Sequence, residues 1–268
     1  MITIYTITGS AVYAAEIPVS DQDQLITSRD WTEISNLQDE MKKEEPDATI
    51  DYDKALKVYV DCNLIKLQTA DTKKLTSALE SANYVWVIPF KMEKTYGMFT
   101  VAKGLPLSEE AKSVLTKAEQ EEVKNHAGKW MITETAEHTV EPYYDILLEK
   151  REALSDCTRV VLVGSQPGMR QPVALGMDDE TARIWISLGY QYPVMEKIPE
   201  TQNVESGVYS FDSVVEISDT YIEDSEVSTG AGVQSRSSMK YVAGIGIIVI
   251  GSILILSVLK KKKLEDYE

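Results

Sequence analysis

The feature that most constrains this chain is a run of nineteen residues without a charge, from Tyr241 to Leu259. As a helix the run would extend about 28 Å, close to the ~30 Å hydrocarbon core of a bilayer. A buried helix of a soluble domain is the alternative. It is disfavoured because the run is long and is followed at once by a cluster of lysines. We therefore predict one C-terminal transmembrane helix over 241–259.

The charges after this run predict its orientation. Lys260, Lys261, Lys262 and Lys263 follow the span directly, and such basic clusters stay on the cytoplasmic side. The N-terminal part would then lie outside the cell membrane, as in a single-pass protein. The predicted cytoplasmic tail, 260–268, is too short to fold, so any signal passed inward would need a partner protein.

The N-terminus carries a pattern typical of signal cleavage. Val12 and Ala14 would occupy positions −3 and −1 of a cleavage site between Ala14 and Ala15. Residues 1–14 lack the basic start of a signal peptide, so we interpret them as the remnant of a signal peptide that begins further upstream. An ordinary edge strand over 1–15 remains the alternative.

The segment before the predicted span has the composition of a spacer. Residues 218–240 are rich in Ser, Thr, Gly and acids, and such stretches cannot bury enough surface to fold. We predict a flexible acidic stalk there, with the exported domain over 15–217. Residues 226–230 resemble a cell-wall sorting sequence only in their Thr-Gly, because the Leu and Pro are missing, so permanent anchoring by the helix is the better interpretation.

Charge limits the class of partner. The chain has 27 basic and 43 acidic residues and a formal charge of −16. A surface of this sign repels nucleic acid, so we predict no nucleic-acid binding. The membrane is the first predicted partner, and an envelope component or a partner membrane protein is the second.

Alternating helical and strand patterns predict an α+β domain with a mostly antiparallel sheet and helices packed on one face of it. A strand–helix–strand–strand order occurs over 56–102 and again over 130–177, which indicates a βαββ pseudo-repeat joined by a helix over 108–125. The remaining predicted elements are a helix from Ser28 that ends before Pro46, a helix that begins near Asp71 or Thr72, a helix over 141–155 and a three-strand meander over 159–188.

Two cysteines lie in the predicted outer domain. Cys62 follows one predicted strand and Cys157 precedes another. If these strands are antiparallel neighbours, the two thiols meet and a disulfide closes a long loop. Two unrelated thiols are the alternative.

No motif assigns a catalytic, cofactor-binding or metal-binding residue. The one cysteine–histidine combination that can be proposed is Cys157 with His138, and their spacing does not bring them together. Asp178 to Glu180 predict a solvated turn, and Gly164 to Gly168 predict a hairpin turn, because the endings of a phosphate loop are absent.

These patterns favour a membrane-anchored, extracytoplasmic binding or interaction module of a bacterial cell envelope. The bacterial assignment depends on the lysine run, the sorting-like C-terminus and the lack of an Asn-x-Ser/Thr sequon. Two alternatives stay open: an envelope enzyme with a site assembled from scattered residues, and an accessory subunit of a membrane protein complex.

Overall fold

The computed structural model describes residues 17–138, 142–164, 166, 172–188, 203–205 and 207–218. The strands of these residues are β1 (Thr49–Ile50), β2 (Leu56–Tyr59), β3 (Tyr84–Lys91), β4 (Tyr96–Lys103), β5 (Trp130–His138), β6 (Arg159–Val163), β7 (Val173–Met177), β8 (Ala182–Ser187), β9 (Asn203–Glu205) and β10 (Val208–Ser210). The α-helices are α1 (Trp31–Ile34), α2 (Gln38–Glu44), α3 (Thr72–Ser81), α4 (Glu109–Val114), α5 (Lys117–His126), α6 (Tyr143–Glu149) and α7 (211–218). Short 3₁₀ helices cover Asp21–Asp23, Ser35–Leu37, Tyr52–Lys54 and Ile65–Leu67.

The ten described strands form one sheet in the order β5-β4-β3-β2-β6-β7-β8-β10-β9, with β1 paired to β3. Every pairing of these strands is antiparallel except that of β2 with β6, where Val58 lies opposite Leu162 and Tyr59 opposite Val163. The predicted α+β class with a mostly antiparallel sheet is confirmed. The β6-β7-β8 meander also forms as the sequence predicts.

Helices cover both faces of the sheet, whereas the sequence favoured one. Because successive side chains of a strand point to opposite faces, Val161 and Val163 join the core under α3 and α7, while Val160 and Leu162 join the core under α6. A third core, built on Trp86, lies under α1 and α2 on the same face as α3. The sheet is therefore the middle layer between two sets of helices.

A segment before α1 fills the seam between β2 and β6. The amide of Val160 donates to the carbonyl of Pro18 at 2.7 Å, and the amide of Leu25 donates to the carbonyl of Ala55 at 3.2 Å. Val19 forms a bridge to Val160, and Leu25 is fully buried. We call residues 17–25 the seam segment, because it joins the two halves of the sheet where β2 and β6 no longer pair directly.

The predicted βαββ order of elements is confirmed along the chain, but the two units do not form a spatial repeat. The order of elements does occur twice along the chain, as β2-α3-β3-β4 and as β5-α6-β6-β7. In the first unit β2 lies beside β3, but in the second β5 is the outermost strand and is separated from β6 by three strands. The two units therefore do not share one topology.

The helix predicted over 108–125 is divided in two. Thr116 begins α5 with a capping box, in which its side chain accepts from the amide of Glu119 while the Glu119 carboxylate accepts from the amide of Thr116. Ser108 caps α4 in the predicted way, and Asp71 caps α3. The α7 helix was not predicted, and it includes Ser218, the first residue of the predicted stalk.

Within the part of the chain that the structure describes, no helix combines the length and the apolar character that crossing a membrane requires. The predicted span over 241–259 lies outside that part. The same is true of Ala14 and Ala15, of residues 219–240 and of Lys260 to Lys263. These remain predictions from the sequence.

Candidate functional site

A cleft of about 280 Å³ lies at one end of the sheet, where β3 begins at Tyr84, β4 ends at Lys103 and β5 begins at Trp130. Three connections close around it: the α3–β3 loop, the chain leaving β4 and the chain entering β5. Its other lining residues are Ala82, Asn83, Gly104, Leu105, Pro106, Ala127 and Gly128. Most of these residues are apolar, so the cleft offers a small and mainly apolar surface.

Two glycines hold the mouth of the cleft together. The amide of Gly104 donates to the carbonyl of Lys129 at 2.9 Å, and the amide of Gly128 donates to the carbonyl of Gly104 at 2.8 Å. A Cβ atom on Gly104 would lie 2.1 Å from the carbonyl oxygen of His126, so a side chain does not fit there. Gly128 has a φ of 75°, a conformation that glycine adopts without strain. These hydrogen bonds bring together the two ends of the segment that contains α4 and α5, which leaves the sheet after β4 and returns to it at β5.

The floor of the cleft is aromatic. The rings of Tyr84 and Trp130 lie 5.9 Å apart at an angle of 48°, a tilted arrangement of the kind that aromatic pairs prefer. The Nζ of Lys103 lies 5.5 Å from the centre of the Trp130 ring. Trp130 is only 7% exposed, and its Nε1 has no hydrogen-bond partner among the described residues.

A buried polar network supports this floor from behind. The hydroxyl of Tyr84 donates to Asp30 at 2.8 Å, and the indole Nε1 of Trp86 donates to the same carboxylate oxygen at 3.1 Å. The ammonium of Lys57 lies 4.7 Å from the Tyr84 ring and 5.3 Å from the Trp86 ring. Tyr84 therefore contacts the cleft on one side and the network on the other, which fixes the orientation of its ring.

Asp23 of the seam segment is the centre of this network. Its carboxylate accepts hydrogen bonds from Ser20 at 2.6 Å, from Tyr59 at 2.8 Å and from Arg159 at 3.0 Å. The Nζ of Lys57 lies 3.4 Å away. These contacts join the seam segment to β2 and β6 through one buried carboxylate.

The pKa values of the network reflect opposing effects. Burial alone would raise the pKa of Asp23, but the Ser20 hydrogen bond, the Arg159 charge, the Tyr59 hydrogen bond and the Lys57 charge together lower it. Burial lowers the pKa of Lys57, although Asp23 acts in the opposite direction. Burial and Asp23 raise the pKa of Tyr59. The result is a carboxylate held in its ionised form beside a protonated phenol.

The structure does not bring the two cysteines together. Cys62 follows β2 and Cys157 precedes β6, and these strands are neighbours but run parallel, so the thiols lie at opposite ends of the pair. Cys62 packs against the core under α3, and Cys157 belongs to the core on the other face. Both are free thiols. The predicted bridge assumed an antiparallel pair, so its geometric basis is wrong.

Burial affects the reactivity of both thiols. It raises the pKa of Cys62 to about 12, with a contribution from the Asp61 charge, and that of Cys157 to about 11. Thiols with such pKa values are protonated at neutral pH and are poor nucleophiles. His138 ends β5, and three strands separate β5 from β6, so the sheet does not bring His138 to Cys157.

Gln166 is a buried residue that sequence analysis missed. It is 3% exposed, and its amide oxygen accepts from the Leu64 amide at 3.0 Å. Its Nε2 donates to the carbonyls of Cys62 at 2.7 Å and Gly164 at 3.0 Å. Gln166 thus ties the connection after β6 to the chain after β2, and residues 165 and 167–171 lie outside the described part.

The acidic turn predicted at Asp178 to Glu180 is confirmed. The Asp178 carboxylate accepts from the amides of Glu180 at 2.8 Å and Thr181 at 2.6 Å, and it also pairs with Arg183. These contacts are those of a β-turn between β7 and β8. Across the described residues, no three His, Cys, Asp or Glu side chains are grouped so that they could hold a metal ion.

Comparison with known proteins gives no match for this chain among protein-family models, curated proteins or solved structures. The cleft was not predicted from the sequence. Its one local signal is the pair of glycines, Gly104 and Gly128, on either side of the helices between β4 and β5.

Proposed function

We propose that the protein is a membrane-anchored, extracytoplasmic binding module of a bacterial cell envelope, and that the cleft at Tyr84, Lys103 and Trp130 is its binding site. The observation that supports binding is the cleft itself, a preformed concave surface with aromatic walls and few polar groups. Sites for small ligands commonly have this character.

Binding is favoured over catalysis by the residues that line the cleft. A nucleophilic site needs a nucleophile within hydrogen-bond reach of a base, with a third group to orient the base. The lining contains no Cys, His, Ser, Thr, Asp or Glu, and its titratable side chains are Tyr84 and Lys103. Burial and the Asp30 hydrogen bond raise the pKa of Tyr84, against the effect of Arg29, so its phenol is protonated at neutral pH. Such a lining can hold a ligand and offers no base.

The location is proposed on the sequence. The uncharged run over 241–259 and Lys260 to Lys263 support a single span with the described domain outside. The predicted stalk over 218–240, whose residues after Ser218 lie outside the described part, would hold the cleft away from the bilayer. An envelope component or a partner membrane protein is the proposed class of ligand or partner.

Photo-crosslinking in native membranes tests this proposal. A photoreactive amino acid replaces Leu105, which is 45% exposed at the cleft, and a matched variant carries it at the exposed Asp212 of α7. We expect an adduct from the Leu105 variant that the Asp212 variant lacks. Added protease should also digest the domain in intact cells. Equal labelling at both positions, or a domain that is protected from protease, would contradict the proposal.

The nature of the adduct distinguishes the alternatives. A small-molecule or glycan adduct at Leu105 supports a binding module for an envelope component. A protein adduct that disappears when the 241–259 sequence is scrambled supports an accessory subunit, in which the membrane segment takes part in assembly.

A further inference from the structure

The charge of the cleft differs from that of the whole protein. The chain carries a net charge of −16, but Lys103 is the one ionised side chain that lines the cleft at neutral pH. A positive charge in the cleft of an acidic protein favours anionic ligands at that place, because the rest of the surface repels anions and the cleft attracts them.

Lys103 is available to a ligand. Its side chain is exposed, its ammonium lies over the Trp130 ring, and no described carboxylate forms an ion pair with it. Two acids that bind lining residues of the cleft are engaged by those contacts. Asp30 accepts from Tyr84 and Trp86, and Asp61 accepts from both the amide and the side chain of Asn83.

The size and walls of the cleft indicate the rest of the ligand. A volume of about 280 Å³ is at the lower end of the range for ligand sites, which suits one ring with a short substituent. Tyr84 and Trp130 line the floor of the cleft, and the exposed Leu105 and Pro106 add apolar surface beside it. Because Asp30 and Lys57 hold Tyr84 from behind, this floor needs little rearrangement on binding.

We propose that the cleft binds a small molecule that joins an apolar ring to an anionic group, either a carboxylate or a phosphate. The ring packs against Tyr84 and Trp130, and the anion pairs with the ammonium of Lys103. This inference rests on the proposed binding function of the same cleft and specifies the chemical class of its ligand.

Calorimetric titration of the full-length protein in detergent tests the inference with five probes. N-acetylphenylalanine and phenyl phosphate carry the ring and one or other anion. N-acetylphenylalaninamide carries the ring without charge, phenethylamine carries the ring with a positive charge, and acetate carries the anion without a ring. We expect the two ring anions to bind about fivefold or more tightly than the neutral amide, the scale of one ion pair that is partly exposed to solvent. The tighter of the two identifies carboxylate or phosphate as the source, and acetate should not bind measurably.

Charge reversal supplies the decisive control. Lys103→Glu should invert the preference, so that phenethylamine binds more tightly than N-acetylphenylalanine. Lys91→Glu is the matched variant, because the Lys91 ammonium also lies over an aromatic ring, 5.8 Å from the centre of Tyr96, at the end of β3 opposite to the cleft. It should leave the order of affinities unchanged. Circular dichroism confirms that both variants are folded.

The outcomes separate this inference from the proposed function. Equal affinity for the neutral and anionic ring probes, or an unchanged preference in Lys103→Glu, would overturn the anion assignment while the cleft remained a binding site. Failure of every ring probe to bind would overturn the ligand class, and the crosslinking at Leu105 would still decide whether the cleft binds anything.

Discussion

Asp23 is the residue through which the seam segment is fixed to the sheet. Its side chain is 3% exposed, and the side chains of its cationic partners Lys57 and Arg159 are 10% and 19% exposed. A buried ion pair is not a strong source of stability in itself, because removing the charges from water costs about as much as their attraction returns. Removing only one partner is strongly destabilising, because the remaining charges are then buried without a counter-charge.

Asp23→Asn should therefore destabilise the protein by about 3 kcal/mol, because Lys57 and Arg159 would lose their counter-charge. Urea unfolding of the purified protein at pH 7 measures this. The control is Glu109→Gln, which removes one side of the exposed Lys112–Glu109 pair and should change the free energy of unfolding by less than about 0.5 kcal/mol. Equal effects of the two substitutions would show that the network does not hold the seam.

The same carboxylate predicts a pH dependence. The pKa of Asp23 is lower in the folded protein than in the unfolded chain, so its contribution to stability is complete above the unfolded value of about 3.9 and is lost as the pH falls through the folded value. The difference in unfolding free energy between wild type and Asp23→Asn should be constant from pH 6 to about pH 4 and should shrink as the pH falls further. A difference that stays constant below pH 4 as well would mean that Asp23 acts through packing and not through its charge.

The burial of Lys57 is a property that the local sequence pattern does not predict. The alternation of β2 predicts that Lys57 faces solvent, yet it is 9% exposed and lies among the rings of Tyr59, Tyr84 and Trp86. Its burial depends on Asp23, which comes from a distant part of the sequence. The polar network and the cleft floor that depends on it are long-range products of the fold, so no local spacing predicts them.

At the scale of elements, α3 and α5 have similar lengths but different roles. Leu75 and Leu79 of α3 are almost completely buried, whereas α5 has no buried residue. Each begins with a side-chain cap, from Asp71 and Thr116 respectively. A cap on a helix that packs into the core stabilises the whole domain, and a cap on a helix that does not pack stabilises only that helix.

Asp71→Ala should thus lower the global free energy of unfolding by about 1 kcal/mol. Thr116→Ala should leave the global value unchanged and should instead speed amide hydrogen exchange in the first turns of α5 by about fivefold, the size of a lost cap. Urea unfolding and native-state exchange of both variants test the pair. A global loss in Thr116→Ala would indicate that α5 packs against the domain more firmly than its exposure suggests.

Most elements were predictable from local signals, and the errors in the helices have local causes. Asp71, Ser108 and Pro46 mark helix boundaries that the structure confirms. The division between α4 and α5 was missed because Val114, Leu115 and Ala118 continue a helical spacing across Thr116. The α7 helix was missed because its β-branched residues Val214, Val215 and Ile217 favour strands over helices. Strand order was beyond prediction, since the position of β5 far from β6 depends on pairings between distant segments.

At the largest scale, the described domain is a sheet of two halves that share the core under α6. The core under α6 includes Val87 and Met98 from the half that contains β5, and Leu162 and Ile186 from the other half. Apolar contact across the seam means that neither half can expose its face without exposing the other. The described domain should therefore unfold as a single cooperative unit.

Tryptophan fluorescence can test this, because Trp86 and Trp130 report on one half and Trp185 on the other. Two variants are needed: one keeps only Trp86 and the other keeps only Trp185, with phenylalanine at the remaining tryptophan positions. In each variant, the urea midpoint measured by fluorescence should agree with the midpoint measured by circular dichroism. Two separate transitions within one variant would show that the seam is weaker than the halves it joins.

The seam segment also sets the order in which the chain can complete its structure. It precedes every described strand, yet its partner β6 is among the later of these strands to be synthesised. Contacts between such distant parts of a chain form slowly, because the intervening loop must close before they are gained. The seam segment thus finds its partner on β6 late, although it comes early in the described domain. The two halves of the sheet are therefore joined only after β6 has been synthesised.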